Sequence, residues 1–163
     1  MTLPRRLRAA AQAIALAAGL AAAAPAMAQG APAGCTGTPS DTWVNVVADG
    51  LRNGNGDLAI TLYADDSKKF LVKRGSLYVG RVKASAGTTR GCIFVPKPGV
   101  YAIALYHDEN ANGKFDRSGL GLPVEGFGFS NNPATIMSLP SFGSVRLAIP
   151  KPGLVSRIHM KYP

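Results

Sequence analysis

Apolar and polar residues alternate with a period of two along most of the chain beyond residue 42, the pattern of half-buried β-strands. The clearest alternation lies in residues 58–63, 101–106, 145–149 and 158–162, and shorter strand candidates lie at 43–48, 77–83 and 92–95. No segment of this region has a sustained 3.6-residue period with helix caps, so we expect little helix. The pattern therefore predicts about seven strands.

Glycine and proline separate these segments, with 19 Gly and 12 Pro in 163 residues. The run Asn53-Gly54-Asn55-Gly56-Asp57 has the composition of a hairpin turn and is predicted to join two strands of one sheet. We predict an all-β fold, a single antiparallel β-sandwich of about seven strands over residues 43–163, with a long loop insert. The order of Pro98-Gly99, Tyr101, an alternating strand and an Asp-rich loop resembles transthyretin-like sandwiches, within the wider Ig-like class.

The first 28 residues have the features of a secretory signal peptide: a basic start, an apolar run over 9–24, and Ala26-Met27-Ala28 as a cleavage site. The apolar run is shorter than the ~20 residues that a membrane-spanning helix needs. We therefore expect an exported protein, periplasmic or extracellular, with no transmembrane segment. Cleavage removes three of the 18 basic residues and none of the nine acidic ones, so the mature chain stays basic.

Cys35 and Cys92 are the two cysteines of the chain. An even number in an exported protein predicts a disulfide, which would tie an N-terminal tail, residues 29–42, to the sandwich. A lipidation site at Ala33-Gly34-Cys35 is the weaker alternative, because Pro32 stands where an aliphatic residue is expected.

Basic residues are concentrated in the middle of the chain, where 67–107 holds eight of them and no acid. This is either a solvated strand face or a surface that attracts an anionic envelope polymer. Nucleic acid is not an expected partner, because the chain is predicted to be exported and these basic residues lack interleaved aromatics for base stacking.

The loop after the strand 101–106 carries the most informative pattern. Oxygen-bearing side chains stand at positions 1, 3, 5 and 9 with glycine at 6, which is most of a calcium-binding loop; the predicted ligands are Asp108, Asn110, Asn112, the carbonyl of Lys114, Asp116 and, from further along, Glu125. Position 12 is Gly119, so this is not an EF-hand, and any Ca²⁺ affinity should be weak, roughly 10⁻⁴ to 10⁻³ M. The alternative is a loop closed by Asx-turns without an ion.

A second cluster combines aromatic and amide side chains and is a candidate ligand patch for a glycan or another envelope or extracellular ligand; it comprises His107, Phe127, Phe129, Asn131 and Asn132, with Phe142 nearby. Packing of the insert over the sandwich is the alternative. His107 is expected near the edge of the core. The sequence has no nucleophile elbow and no zinc-type histidine cluster, so we predict a protein that is not an enzyme. A glycan hydrolase using Asp108 and Glu125 is the third alternative.

Two stretches, 98–116 and 121–132, closely resemble a bacterial exported family known as domain of unknown function 2141, and similarity at 50–63 and 140–142 extends the match. The resemblance implies a small exported β-sandwich and brings no activity and no catalytic residue. The leading prediction is thus a non-enzymatic envelope or periplasmic domain whose acidic loop binds calcium weakly and helps to present a ligand patch. A purely structural or accessory module without metal is the alternative.

Overall fold

The computed structural model describes residues 30–135 and 139–163, and the predicted signal peptide lies outside these residues. The described residues form eight strands and one short helix, in the order β1 (Trp43–Leu51), β2 (Asp57–Ala64), β3 (Tyr78–Lys83), β4 (Gly87–Phe94), β5 (Gly99–Asp108), β6 (Phe127–Phe129), α1 (Phe142–Val145), β7 (Arg146–Ile149) and β8 (Leu154–His159).

Two sheets face each other. The first sheet has the order β4-β1-β8, and the second has the order β3-β2-β5-β6, with β7 also paired to β5. β6 and β7 share one edge of β5, because β7 pairs with Gly99–Ala102 and β6 with Ala104–Tyr106. The long insert leaves β5 at Asp108 and returns to the same strand at Phe127.

The predicted all-β sandwich is confirmed, and each predicted strand segment overlaps an observed strand. Three details differ. β6 is an additional strand directly after the insert, and at three residues it is too short to show alternation. β8 runs parallel to β1, so the first sheet is mixed rather than antiparallel. The predicted hairpin at 53–57 is wrong, because this turn leads from β1 in the first sheet to β2 in the second.

The core between the sheets is built from the alternating residues. Val44, Val46 and Ala48 of β1 face Leu58, Ile60 and Leu62 of β2 together with Ile103 and Leu105 of β5, and all are buried. A second apolar cluster covers the outer face of the second sheet and contains Tyr63, Phe70, Ala102, Ala104, Phe129 and Val145. Strands β2 and β5 are therefore buried on both faces, and the insert lies against one end of this second cluster.

The N-terminal tail is fixed to the outer edge of β4. Cys35 and Cys92 form a disulfide with their Cα atoms 4.4 Å apart. Beside it, the N–H of Thr36 donates to the carbonyl of Cys92 at 2.9 Å, and the N–H of Phe94 donates to the carbonyl of Thr36 at 2.9 Å. The tail thus adds a short parallel bridge to the first sheet. No helix within residues 30–135 and 139–163 has the length and apolar character needed to cross a membrane.

Candidate functional site

The acidic loop follows β5 and begins at a buried carboxylate. Asp108 is completely inaccessible to solvent. Its Oδ1 accepts the N–H of Asn112 at 2.9 Å, and its Oδ2 accepts the N–H of Gly113 at 2.8 Å. Gly113 has φ +79°, a left-handed conformation that glycine adopts at little cost. The carboxylate therefore closes the loop on itself at the predicted bend.

Three side chains converge further along the loop. The amide nitrogens of Asn110 and Asn112 both donate to Oδ2 of Asp116 at 2.8 Å. Their amide oxygens accept main-chain N–H groups two residues ahead, at 3.1 Å from Asn112 and 2.8 Å from Lys114, which are Asx-turns. The hydrogen bonds from Asn112 and then Asn110 hold the pKa of Asp116 below its usual value. Asp116 is therefore ionised at neutral pH.

Glu125 joins the two sides of the insert. Its Oε1 accepts the N–H of Glu109 at 3.2 Å and its Oε2 accepts the N–H of Asp116 at 3.0 Å. Only 4% of this residue is exposed. Burial raises the pKa of the Glu125 carboxyl, and the hydrogen bonds from the main chain oppose that effect. Glu125 thus acts as a bridge between the start of the acidic loop and its end.

Arg81 of β3 connects the loop to the second sheet. Its Nη2 donates to the Tyr106 hydroxyl at 2.6 Å and to the carbonyl of Gly113 at 2.8 Å. Its Nε lies 4.0 Å from Oδ2 of Asp108. The loop is consequently held by a charged side chain from a neighbouring strand as well as by its own turns.

The predicted calcium ligands lie in one loop and have the oxygen chemistry that Ca²⁺ prefers. Within residues 30–135 and 139–163, no three His, Cys, Asp or Glu side chains are grouped closely enough to hold a metal. A cation here would depend on the Asn oxygens and the Lys114 carbonyl, and it would compete with the amide groups that face Asp116. The donor set fits a weak site for a hard cation, and the calcium prediction remains a prediction.

His107 lies in the interior rather than at an accessible patch. It is completely buried. Its Nε2 lies 2.8 Å from the carbonyl oxygen of Asn55, and its Nδ1 lies 2.7 Å from the Tyr162 hydroxyl. Because a carbonyl only accepts, Nε2 carries the proton, and in the neutral ring Nδ1 accepts from the hydroxyl. His107 therefore joins the β1–β2 turn to the C-terminal segment.

The two asparagines of the predicted patch hold neighbouring chain segments. Asn131 donates to the carbonyl of Arg146 at 2.7 Å. Asn132 donates to the carbonyl of Arg157 at 3.0 Å and accepts the N–H of His159 at 2.8 Å. Both have positive φ. The structure thus places these amides in a turn, directly after Phe129, that connects both sheets.

Phe127 and Phe129 belong to a chain of aromatic rings on the outer face of the second sheet. Phe115 lies 5.6 Å from Tyr106 and 6.2 Å from Phe127, ring centre to ring centre. Phe127 in turn lies 5.9 Å from Phe129. Phe142 is further along and contacts Phe70 at 5.5 Å.

These rings form the floor of a groove of about 560 Å³; its lining residues include Tyr63, Ala104, Tyr106, Phe115, Phe127 and Phe129, with Leu71, Lys73, Arg117, Pro123 and Leu139 around them. A second cavity of about 480 Å³ adjoins it and shares Arg117, Pro123, Phe127 and Leu139 with the first. We call this pair of cavities the aromatic groove. The charged side chains that line it are Lys73, Arg117 and Lys161, and none of its described lining residues is acidic.

Several groove residues were not among the predicted site residues, including Tyr63, Tyr106 and Phe115. Tyr63 and Tyr106 occupy the face of β2 and β5 that alternation assigns away from the core. The aromatic and alanine residues on that face could have indicated that it is covered, because a solvated face of a sheet is usually polar. Phe115 lies between two predicted calcium ligands, and its contact with Tyr106 depends on how the loop folds back.

The family model described as "Uncharacterized protein conserved in bacteria (DUF2141)" matches residues 46–155. Comparison with curated proteins and with solved structures gives no significant match. The family match includes most of β1, all of β2 to β7, the acidic loop, and Phe127 and Phe129 of the groove. Because it spans more than half of the sequence, the chain belongs to this uncharacterised bacterial family.

Proposed function

We propose that this chain is an exported, non-enzymatic binding protein of the cell envelope or periplasm, and that its ligand lies in the aromatic groove. The observation that carries the proposal is the groove itself. Its volume of about 560 Å³ is within the range of roughly 300–1,000 Å³ that is usual for ligand pockets. Aromatic rings supply a large apolar contact area, and Lys73 and Arg117 supply positive charge at its border.

The chemistry of the groove supports binding rather than catalysis. Its described lining residues include no side-chain carboxylate, imidazole, thiol or serine hydroxyl. Asp108 and Glu125, the acid and base of a hydrolase alternative, instead accept main-chain N–H groups within the insert. The insert contributes one wall of the groove through Phe115, Arg117 and Pro123, so the hydrogen bonds of the acidic loop also determine the shape of the groove.

Binding can be measured with 1-anilinonaphthalene-8-sulfonate, a fluorescent probe with an aromatic body and one negative charge. We expect saturable binding by the folded protein and about tenfold weaker binding by Phe115→Ala, since a fully buried aromatic side chain contributes ~1.5–3 kcal/mol. Tyr78→Ala is the matched control, because Tyr78 lines a separate cavity. Equal losses in both variants, or unchanged binding in Phe115→Ala, would count against the groove. Thermal melting of each variant verifies folding.

Calcium binding by the acidic loop is a second candidate function. The observation that favours it is that one loop brings the side chains of Asn110 and Asn112 next to the ionised Asp116. Both amides would have to rotate to present oxygen instead of nitrogen to an ion at this point. Titration with calcium, followed by thermal melting, tests it. At a Kd near 10⁻⁴ M, tenfold excess calcium should add ~1.4 kcal/mol to the free energy of unfolding. Unchanged melting in millimolar calcium would favour the loop closed by its Asx-turns.

A further inference from the structure

The insert ends in a small hairpin that displays leucine to solvent. Arg117 and Pro123 pair across it. The N–H of Ser118 donates to the carbonyl of Leu122 at 2.8 Å, and the N–H of Gly121 donates to the carbonyl of Ser118 at 2.8 Å. Leu120 at the tip is 89% exposed and Leu122 is 63% exposed. A hydrogen-bonded turn therefore holds two leucines away from the core.

Other exposed apolar side chains lie on the same side of the molecule. Leu139 is 57% exposed, and it lines the aromatic groove together with Leu122. Val72, 50% exposed, stands in the sequence between Leu71 and Lys73, which also line the groove. Isolated exposed apolar residues are common on protein surfaces, but a cluster around one cavity is typical of an interaction surface.

The charged side chains that line the groove are all basic. Lys73, Arg117 and Lys161 line the groove, and Arg74 follows Lys73 in an exposed turn. The nearest acids of the insert are already engaged, because Glu125 is buried and Asp116 accepts two amide hydrogen bonds. Exposed apolar side chains bordered by basic ones are complementary to a partner surface whose outer layer is anionic and whose interior is apolar.

We propose that the hairpin 117–123 and the border of the aromatic groove dock onto the surface of a lipid bilayer that contains anionic phospholipid. Leu120 and Leu122 enter the boundary between headgroups and acyl chains, and the exposed Lys73, Arg74 and Arg117 face the phosphates. A second copy of this chain is a poorer occupant, since two such surfaces would place positive charges against each other. The inference goes beyond the proposed function, because the groove can hold a ligand without bilayer contact.

Sedimentation with vesicles tests the proposal. The probes are vesicles of phosphatidylcholine alone and vesicles with added phosphatidylglycerol, in 0.1 M salt. We expect association with the anionic vesicles and about tenfold weaker partitioning of the double variant Leu120→Ser/Leu122→Ser. Lys73→Ser should weaken partitioning by roughly fivefold, as expected for one basic residue near an anionic surface. The matched control is Val155→Ser, because Val155 is 59% exposed on β8 in the other sheet.

Three results would overturn the proposal: no association of the unmodified protein with anionic vesicles, undiminished association of the double leucine variant, or an equal loss in Val155→Ser. Sedimentation equilibrium of the protein without vesicles decides between bilayer docking and self-association. If the unmodified protein self-associates and the double leucine variant is monomeric, a second copy is the occupant and bilayer docking is rejected. Binding of 1-anilinonaphthalene-8-sulfonate should persist in the single variant Leu120→Ser, because Leu120 lines neither cavity of the groove, and this separates failure of this proposal from failure of groove binding.

Discussion

The substitution His107→Phe tests whether the buried histidine is held by its two hydrogen bonds. Phenylalanine keeps an aromatic ring at this fully buried position but leaves the Asn55 carbonyl and the Tyr162 hydroxyl without their partner. A buried polar group that loses its partner costs ~1–3 kcal/mol. Asn55 is exposed and Tyr162 is partly exposed, so water can replace part of each bond. The lower end of that range, about 1–1.5 kcal/mol for each of the two groups, therefore applies, and we expect His107→Phe to lose about 2–3 kcal/mol in total.

Urea denaturation, followed by the fluorescence of the single tryptophan, measures this loss. Trp43 is 7% exposed in the native state, so its emission reports on global unfolding. His159→Phe is the matched control, because His159 is exposed on β8 and its side chain should contribute within ±0.5 kcal/mol. A His107→Phe variant as stable as His159→Phe would refute the assigned role of the hydrogen bonds. His107→Ala should lose more than His107→Phe, since it also leaves a cavity.

Three further predictions concern charge, metal and covalent structure. The hydrogen bond from Arg157 is the main reason that the pKa of Asp49 is lowered; this pair therefore stabilises the protein above pH 3.8 and is lost as pH falls through the lowered pKa. Asp49→Asn should be less stable than the unmodified protein by about 0.5–1 kcal/mol at pH 7. Urea melts at pH 7 and in acid check this, because the difference between the two proteins should vanish in acid. If the loop binds calcium, Asp116→Asn should lose most of any calcium-dependent rise in Tm, measured by calorimetry. The double variant Cys35→Ser/Cys92→Ser should lose ~2–4 kcal/mol, and a loss below 1 kcal/mol in urea melts would contradict a stabilising tail.

Much of the sandwich was predictable, because apolar residues at every second position indicate a strand with one buried face. Leu58, Ile60 and Leu62 alternate with their neighbours, and all three are in the core. Pairing between strands was less predictable. The Asn-Gly turn at 53–57 has the same local chemistry whether the chain returns to the same sheet or crosses to the other, and long-range packing decides between them. The parallel pairing of β8 with β1 is likewise a long-range contact.

The candidate site was predictable in part. The spacing of Asp108, Asn112 and Gly113 predicted a sharply bent loop, and the observed Asx-turns and the positive φ of Gly113 have that geometry. The groove was harder to find. It depends on rings from β2, β5, β6 and the insert, which are distant in sequence and meet only after the second sheet has formed. The predicted ligand patch also grouped His107 with Phe127 on residue type alone. In the structure His107 lies in the interior, whereas Phe127 lines the groove.

The shared edge of β5 has a consequence for how this chain can be altered. The insert, residues 109–126, leaves β5 after Asp108 and returns at Phe127. Tyr106 and Phe127 pair across the two strands, so the strands that carry the insert run one strand spacing apart, roughly 5 Å. Ser130 then fills the gap between β6 and β7, donating its hydroxyl to Val145 and accepting the N–H of Ile103. The strands on both sides of the insert are therefore held together by their own hydrogen bonds. Residues 109–126 can consequently be replaced by a loop of different length on the same sandwich.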